Sequence, residues 1–351
     1  MFVKNAWYVA GWSSELENGA LLSRKLLSTG VLLYRSDSGK VGALEDRCCH
    51  RFAPLSHGRV EGECVRCMYH GLKFDAAGKC VEIPGQERIS HLMKVRSYPV
   101  HEQDKLVWIW MGEEALADPA RIVPMDWHDG KGWHVARDEY IHFRSDYKLI
   151  VDNLLDFTHL AFVHAGTIGS AALAERRPKV TTGTDSLTID HWLPGISVPA
   201  SFKRLATRLP AVVDRSLVYT WHVRGNLFVQ ESTVSPADTG GHHSKAPETA
   251  RLRTTIALTP GTETTTHYFW SNATQEFLTD VGDVAGIMRE NLRVAFAEDR
   301  GIIEAQQGIL SAAPDAPMMA IAADTNLLAV RRMQDAIIRH EAAPAASAAA
   351  E

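Results

Sequence analysis

Apolar runs of different length and period divide the chain into two parts. Up to about residue 112 the apolar segments are short, and turns rich in Gly, Asp and Ser interrupt them, which is typical of β-structure. Turn residues at 36–40 and 75–78 each separate two short apolar runs and predict hairpins. Residues 106–110 form a continuous apolar run that predicts a buried closing strand. Residues 1–112 are therefore predicted to form an all-β domain.

The second part mixes helix and strand patterns. Residues 113–132 contain prolines and mixed charge, and we interpret them as a linker before a domain at 133–341. Asp146 can cap a helix whose apolar positions are Leu149, Ile150 and Leu154. Strands are predicted near 186–192, 218–223, 227–230, 252–258 and 264–270, and helices at about 281–307 and 326–340. The Ala/Pro/Ser-rich residues 342–351 are predicted to be a disordered tail, and the fold class is α+β.

Composition narrows the function classes. The 351 residues are 45% hydrophobic and 23% charged, which is ordinary for a soluble globular protein of two domains. A formal net charge of -5 argues against nucleic-acid binding. The five cysteines lie between Cys48 and Cys80, unlike a secreted disulfide framework, and no segment has the length of a signal peptide core or a membrane span. We expect a cytoplasmic protein with no membrane partner.

Cysteines and histidines are paired at two places in the first domain. Cys48 and His50 form a C-x-H motif, and Cys67 and His70 form a C-x-x-H motif. Two Cys and two His can bind one zinc, or they can bind two sulfide-bridged irons as in a Rieske [2Fe-2S] centre. Each arm here offers one thiolate and one imidazole, whereas zinc sites more often group like ligands along the chain. The spacing favours the iron-sulfur cluster and leaves zinc as the alternative.

A second cluster of candidate ligands follows the predicted helix at 146. Asp156, His159 and His164 read D-x-x-H-x-x-x-x-H, and Asp156 is one helical turn before His159, where it could accept the imidazole N–H. Two histidines five residues apart face one metal only if the helix ends or distorts between them. The alternative interpretation is a pair of core histidines whose nitrogens bond backbone carbonyls.

The third ligand of a two-His, one-carboxylate site is predicted in the long helix. Asp299 lies in an apolar stripe that we read as Met288, Leu292, Ala295, Asp299, Ile302 and Gln306. A buried carboxylate is costly unless it is paired or metal-bound, so we predict Asp299 as the ligand. The neighbouring Glu298 is expected to point away from the site.

Together these patterns resemble the Rieske non-haem iron aromatic oxygenases. The similar segments are C-x-H-R-x-A-P-L at 48–55, C-x-Y-H-G-L at 67–72, N-x-x-D-x-x-H-x-x-x-x-H from Asn153 to His164, and the late E-D pair. Cys49 stands where proline is usual, and it should not be a ligand. The resemblance covers nearly the whole chain and is closest to the oxygenase components of toluenesulfonate methyl-monooxygenase, vanillate O-demethylase and dicamba monooxygenase type.

The resemblance carries several expectations. Cys48, His50, Cys67 and His70 would hold the Rieske [2Fe-2S] cluster, and His159, His164 and Asp299 would hold mononuclear Fe(II) in a helix-grip catalytic domain. Asp156 would bridge His159 and His70 of a neighbouring subunit in a homotrimer, and Asn153 would lie near the iron.

The same resemblance implies the reaction and its partners. The chain would be the terminal oxygenase of a monooxygenase that uses O2 to hydroxylate a methyl or O-methyl group of a substituted aromatic acid. Electrons would come from NADH through a separate flavin and ferredoxin-type reductase, since the chain has no G-x-G-x-x-G motif of its own. Ring dihydroxylation, or electron transfer without oxygenase activity, are the alternatives. Substrate-pairing candidates, each more often a solvated surface residue, are Arg204, Arg208, Arg224 and His222.

Overall fold

The computed structural model describes residues 1–130, 132–164 and 177–343, which divide into two compact units. Unit 1 comprises Met1–Met125, Thr259–Glu263 and the described residues from Glu341 onward. Unit 2 comprises Asp126–Leu258 and Thr264–His340. The chain is mostly β with few helices, and no helix of the described residues is long and apolar enough to cross a membrane.

Unit 1 is built from three small sheets. Its strands are β1 (Trp7–Trp12), β2 (Leu21–Leu26), β3 (Thr29–Arg35), β4 (Val41–Glu45), β5 (Arg59–Glu61), β6 (Cys64–Arg66), β7 (Lys73–Phe74), β8 (Cys80–Glu82), β9 (Val100–Gln103) and β10 (Leu106–Trp110). The sheet orders are β1-β10-β9, β2-β3-β4 and β5-β6-β7-β8. Strand β10 is buried along its whole length, as its continuous apolar sequence predicts.

Unit 2 is organised around one seven-stranded sheet. Its strands are β11 (Trp133–Phe143), β12 (Lys179–Thr182), β13 (Ser186–Ser197), β14 (Val212–His222), β15 (Leu227–Pro236), β16 (Ala250–Thr262) and β17 (Thr265–Gln275). The order is β11-β17-β16-β15-β14-β13-β12, so β11 lies at one edge beside β17. Consecutive strands from β12 to β16 pair antiparallel, and side chains therefore alternate between the two faces of the sheet.

Four helices of the described residues accompany this sheet: α1 (Tyr147–Leu155), α2 (Ala200–Lys203), α3 (Val284–Ala312) and α4 (Thr325–Ala342). As predicted, Asp146 caps α1, and its carboxylate accepts a hydrogen bond from the Lys148 backbone N–H at 3.0 Å. The predicted apolar stripe of α3 is wrong at its end. Ile302 is 54% exposed, while Ile303 is buried one position later. The stripe drifts because 3.6 residues complete each turn.

Candidate metal centres

Two loops of unit 1 share the same backbone conformation around Cys48 and Cys67. Each cysteine donates its backbone N–H to the carbonyl five residues later, Ala53 and Leu72 respectively, both at 2.8 Å. Each cysteine carbonyl accepts a hydrogen bond from the residue four positions later, at 3.0 Å. That later residue has positive φ in both loops, +58° at Phe52 and +75° at Gly71. The Cys48–His50 loop and the Cys67–His70 loop therefore have the same hydrogen-bond pattern around their cysteines.

The four predicted cluster ligands divide by burial. Cys48 and Cys67 are buried in the core of unit 1, whereas His50 and His70 are exposed, with ring centroids 4.6 Å apart. Burial, with the neighbouring Cys67 thiol, raises the pKa of Cys48 to about 12. Desolvation and the adjacent His50 lower the pKa of His70 and favour a neutral ring. Two buried thiols and two exposed imidazoles suit a cluster with one Cys-bound and one His-bound iron.

In unit 2 the three predicted mononuclear ligands converge. One donor atom from each of His159, His164 and Asp299 lies within 4.8 Å of the others. The Nε2 atoms of His159 and His164 lie 3.7 and 3.0 Å from Oδ1 of Asp299. Burial lowers the pKa of His164, but hydrogen bonds with the two neighbouring carboxylates raise it more, so the net shift is upward. A divalent cation would satisfy the same converging atoms.

Helix α1 ends earlier than the sequence interpretation requires. Asp156 is the C-cap of α1 with extended φ and ψ of −98° and 117°, and His159 begins a separate 3-10 turn, His159–Ala161. The expectation that Asp156 and His159 share a helix face is therefore wrong. The Asp156 carboxylate accepts instead from the N–H and hydroxyl of Thr158, both at 2.7 Å, and Nδ1 of His159 is buried without a partner among the described residues. The break in the helix brings both imidazoles toward Asp299.

The expectation that Glu298 points away is also wrong. Its Oε2 lies 2.8 Å from Nδ1 of His164. Glu298 can reach His164 because this ring lies between the two adjacent acids, with its two nitrogens facing one carboxylate each. Asn153 donates from Nδ2 to Oδ1 of Asp299 at 3.0 Å. Both contacts orient the candidate ligands, Glu298 at the outer nitrogen of His164 and Asn153 at the Asp299 oxygen that faces the imidazoles.

A cavity opens beside the candidate ligands, with an empty volume of about 910 Å³ including its mouth. Helices α1 and α3 and the turn after α1 contribute the candidate ligands and their polar partners, and strands β14, β15 and β16 contribute further lining residues. Its aromatic lining is Phe157, Phe202, Tyr219, Phe228 and Phe296. Such a mixture of aromatic walls and a few polar groups is typical of small-molecule sites.

The substrate-pairing candidates from the sequence do not line this cavity. Arg224 pairs with Asp185 at 2.9 Å, and Arg208 pairs with the exposed Asp280. The cavity contains a different cation, Arg215 on β14, which sequence reasoning missed. The signal was present, since an arginine interrupts the apolar alternation of residues 213, 217, 219 and 221.

The donor chemistry fits both metal groups. The mononuclear trio supplies two imidazoles and one carboxylate, the ligand set of non-haem Fe(II) oxygenases that leaves coordination positions open. The orphaned, buried Nδ1 of His159 leaves its Nε2 as the atom directed at Asp299. In unit 1, the paired loops present two thiols and two imidazoles in the Rieske arrangement.

Comparison with known families matches both units. A model described as the Rieske [2Fe-2S] domain matches residues 6–99, and one described as the vanillate O-demethylase oxygenase C-terminal domain matches residues 143–340. The iron-sulfur subunit of the toluene-4-sulfonate monooxygenase system from Comamonas testosteroni is 46% identical over 345 residues. That alignment covers 97% of this chain and 98% of the relative.

Solved structures show the same architecture. The crystal structure of dicamba monooxygenase bound to 3,6-dichlorosalicylic acid has a TM-score of 0.87 and 32% identity, covering 98% of this chain and 99% of that one. A crystal structure of the same enzyme with non-heme iron and dicamba has a TM-score of 0.81 and 33% identity, covering 97% and 98%. The similarity therefore extends through both units of the chain.

Proposed function

Since this chain belongs to the family of Rieske non-haem iron oxygenase components, we propose that it oxidises a methyl or O-methyl group of a substituted aromatic acid. One oxygen atom of O2 enters the C–H bond, and two electrons and two protons convert the other to water. An oxidised O-methyl group then leaves as formaldehyde, and an oxidised ring methyl remains as an alcohol. The relatives named for toluene-4-sulfonate, vanillate and dicamba support this choice of substrate class.

The observation that carries the proposal is the convergence of His159, His164 and Asp299 at an aromatic-lined cavity. We assign these three residues as ligands of mononuclear iron. When bound, iron supplies the coordination site at which O2 is activated beside the substrate. The apolar cavity walls exclude water from that position and hold an aromatic ring by shape.

Neighbouring residues fix the orientation of the ligand side chains. Asn153 donates a hydrogen bond to one oxygen of Asp299. Glu298 accepts the Nδ1–H of His164, so the Nε2 atom of His164 carries the lone pair that can bind a metal. We assign Asp156 to electron transfer between the metal centres rather than to ligation. Asp156 lines the same cavity as His159 and His164 without being one of the three converging ligands, which supports that role.

We propose that Cys48, His50, Cys67 and His70 would hold the Rieske [2Fe-2S] cluster, which would supply the electron-accepting group of the protein. Histidine ligation raises the cluster potential above that of an all-cysteine ferredoxin, so a lower-potential reductase can reduce it. We propose a separate flavin and ferredoxin-type reductase that uses NADH. We also propose a homotrimer, in which the cluster of one subunit serves the iron of the next.

The test reconstitutes the protein with iron, sulfide, NADH and a Rieske-oxygenase reductase. Toluene-4-sulfonate, vanillate and 4-methoxybenzoate are supplied under ¹⁸O2, and alcohol products, formaldehyde and label incorporation are measured. We expect three irons per chain and one labelled oxygen in the alcohol formed from toluene-4-sulfonate. Vanillate and 4-methoxybenzoate should give unlabelled phenols and formaldehyde, because the new oxygen leaves with the methyl carbon and exchanges with water. Two irons per chain with no product would instead identify an electron carrier, and incorporation of both oxygens into the ring would identify a dihydroxylating enzyme.

A further inference from the structure

Arg215 occupies a core-facing position of the sheet. Strand β14 alternates, and the side chains at 213, 215, 217, 219 and 221 share one face. The other four are Val213, Leu217, Tyr219 and Trp221, all buried. Arg215 is itself only 6% exposed, and it lines the cavity that contains the candidate iron ligands. A cation therefore stands in the wall where the strand pattern calls for an apolar residue.

This buried cation lacks a partner among the described residues. Its Nε and Nη1 atoms are buried without hydrogen bonds, and none of the described carboxylates lies within ion-pair distance. Its described contact is the Phe202 ring, whose centroid lies 5.6 Å from the guanidinium carbon. Burial lowers the pKa of Arg215, with Tyr219 opposing, but an arginine remains cationic at neutral pH. Removing an unpaired charge from water costs free energy unless a ligand supplies the counter-charge.

Neighbouring strands add a second unpartnered polar group to the same wall. Ser232 faces Leu217 across the β14–β15 pair, and Arg215 faces Val234, so Arg215 and Ser232 are diagonal neighbours on one face. Ser232 also lines the cavity, and its hydroxyl is buried without a described hydrogen-bond partner. A guanidinium and a hydroxyl donor side by side match the two or three oxygens of a carboxylate or sulfonate.

We propose that Arg215, assisted by Ser232, is the anion-binding end of the substrate cavity and selects arenes that carry a carboxylate or sulfonate. This inference rests on the proposed function, because it divides that same cavity into two ends. The helix side and the turn after α1 hold the iron ligands, and the sheet side holds the cation. The rings of Phe157 and Tyr219, 4.5 Å apart, lie in the lining that an arene would contact. An anion bound at Arg215 therefore directs the other end of the ring toward the oxidising site.

The experiment measures equilibrium binding to the iron-loaded holoprotein by calorimetry, without turnover. Toluene-4-sulfonate and 4-methylbenzoate are compared with neutral counterparts of similar shape, methyl 4-tolyl sulfone and methyl 4-methylbenzoate. Wild-type protein should bind at least one anion about 30-fold or more tightly than its neutral counterpart, the size expected for a buried, hydrogen-bonded charge pair. The sulfonate and carboxylate arms separate the two possible head groups.

Substitutions assign the preference to the residue. Arg215→Met should abolish the anion preference while leaving affinity for the neutral arenes within a few-fold, and Arg215→Lys should retain part of it because the charge remains. Arg224→Met is the matched control and should bind like wild type, because Arg224 lies in the turn that follows β14 and pairs with Asp185 outside the cavity.

Iron and cluster contents confirm that each variant is folded. Equal binding of anions and neutral arenes by wild-type protein would overturn the proposal, whether or not Arg215→Met folds. An undiminished anion preference in metal-loaded Arg215→Met would also overturn it. Oxidation of neutral arenes by wild-type protein under those outcomes would leave the oxygenase assignment intact. Tight binding of arenes without any oxygenated product would instead refute the oxygenase assignment itself.

Discussion

Glu298→Gln tests how far the iron site depends on a residue behind its ligands. The substitution keeps the size of the side chain and removes the negative charge 2.8 Å from Nδ1 of His164. Loss of such an outer carboxylate typically lowers metal affinity 10- to 100-fold. His164 is almost fully buried, but Glu298 is about one third exposed, and water screens its charge. We therefore expect the lower end, roughly tenfold or about 1.4 kcal/mol.

The assay is competitive titration of Fe(II) against a chelator in cluster-loaded protein. Glu290→Gln is the control, because Glu290 lies on the same helix and pairs with Arg293 instead of the site. Asp299→Ala should lose mononuclear iron altogether while retaining the cluster spectrum. Equal iron affinity of the Glu298 and Glu290 variants would refute the orienting role. Loss of turnover with unchanged iron affinity in Glu298→Gln would do the same and would point to a different function for this carboxylate.

Three further outcomes are expected. Gly71→Ala should destabilise unit 1 and lower its cluster content more than Gly85→Ala does. Both glycines have φ of +75°, but only at Gly71 would a Cβ lie 2.7 Å from Pro84. Unfolding and labile sulfide assays measure the two effects. Asp156→Asn should leave both metal centres loaded but slow reoxidation of the reduced cluster in rapid-mixing measurements with O2 and substrate; wild-type reoxidation rates would contradict the coupling role. The pKa of Glu304 is held at about 2 because hydrogen bonds from two arginines outweigh its burial, so its contribution to stability is present above pH 4.5 and is lost as the pH falls toward 2. Glu304→Gln should accordingly lower the thermal midpoint at pH 7, and its difference from wild type should shrink across that range.

Sequence patterns predicted the elements better than the details of the sites. The cap at Asp146 and the buried strand β10 were predictable because each depends on residues close together in the chain. The end of α1 before Asp156 was not, because apolar residues continue at helical spacing through Leu160 while tertiary contacts of the histidines decide the backbone.

Long-range contacts explain the residues that were missed. Glu298 contacts a ring 134 positions earlier in the chain. The apolar stripe marked Asp299 as inward-facing, but it gave no sign that the adjacent Glu298 also reaches the site. Arg215 differs, because the alternation of β14 did mark it as a charge on an apolar face. Its lack of a partner, however, depends on which strands flank it, and the pattern within one strand does not contain that information.

The break after α1 also has a thermodynamic consequence. His159 and His164 lie in a short 3-10 turn and the turn that follows, whereas Asp299 lies in the middle of the long helix α3. A cation bound by all three residues would link this turn, which has few backbone hydrogen bonds of its own, to helix α3. Because ions that bind only the folded state stabilise it, a bound cation would stabilise the folded conformation of this turn. Oxidative loss of iron would thus release the turn first, and inactivation would precede global unfolding.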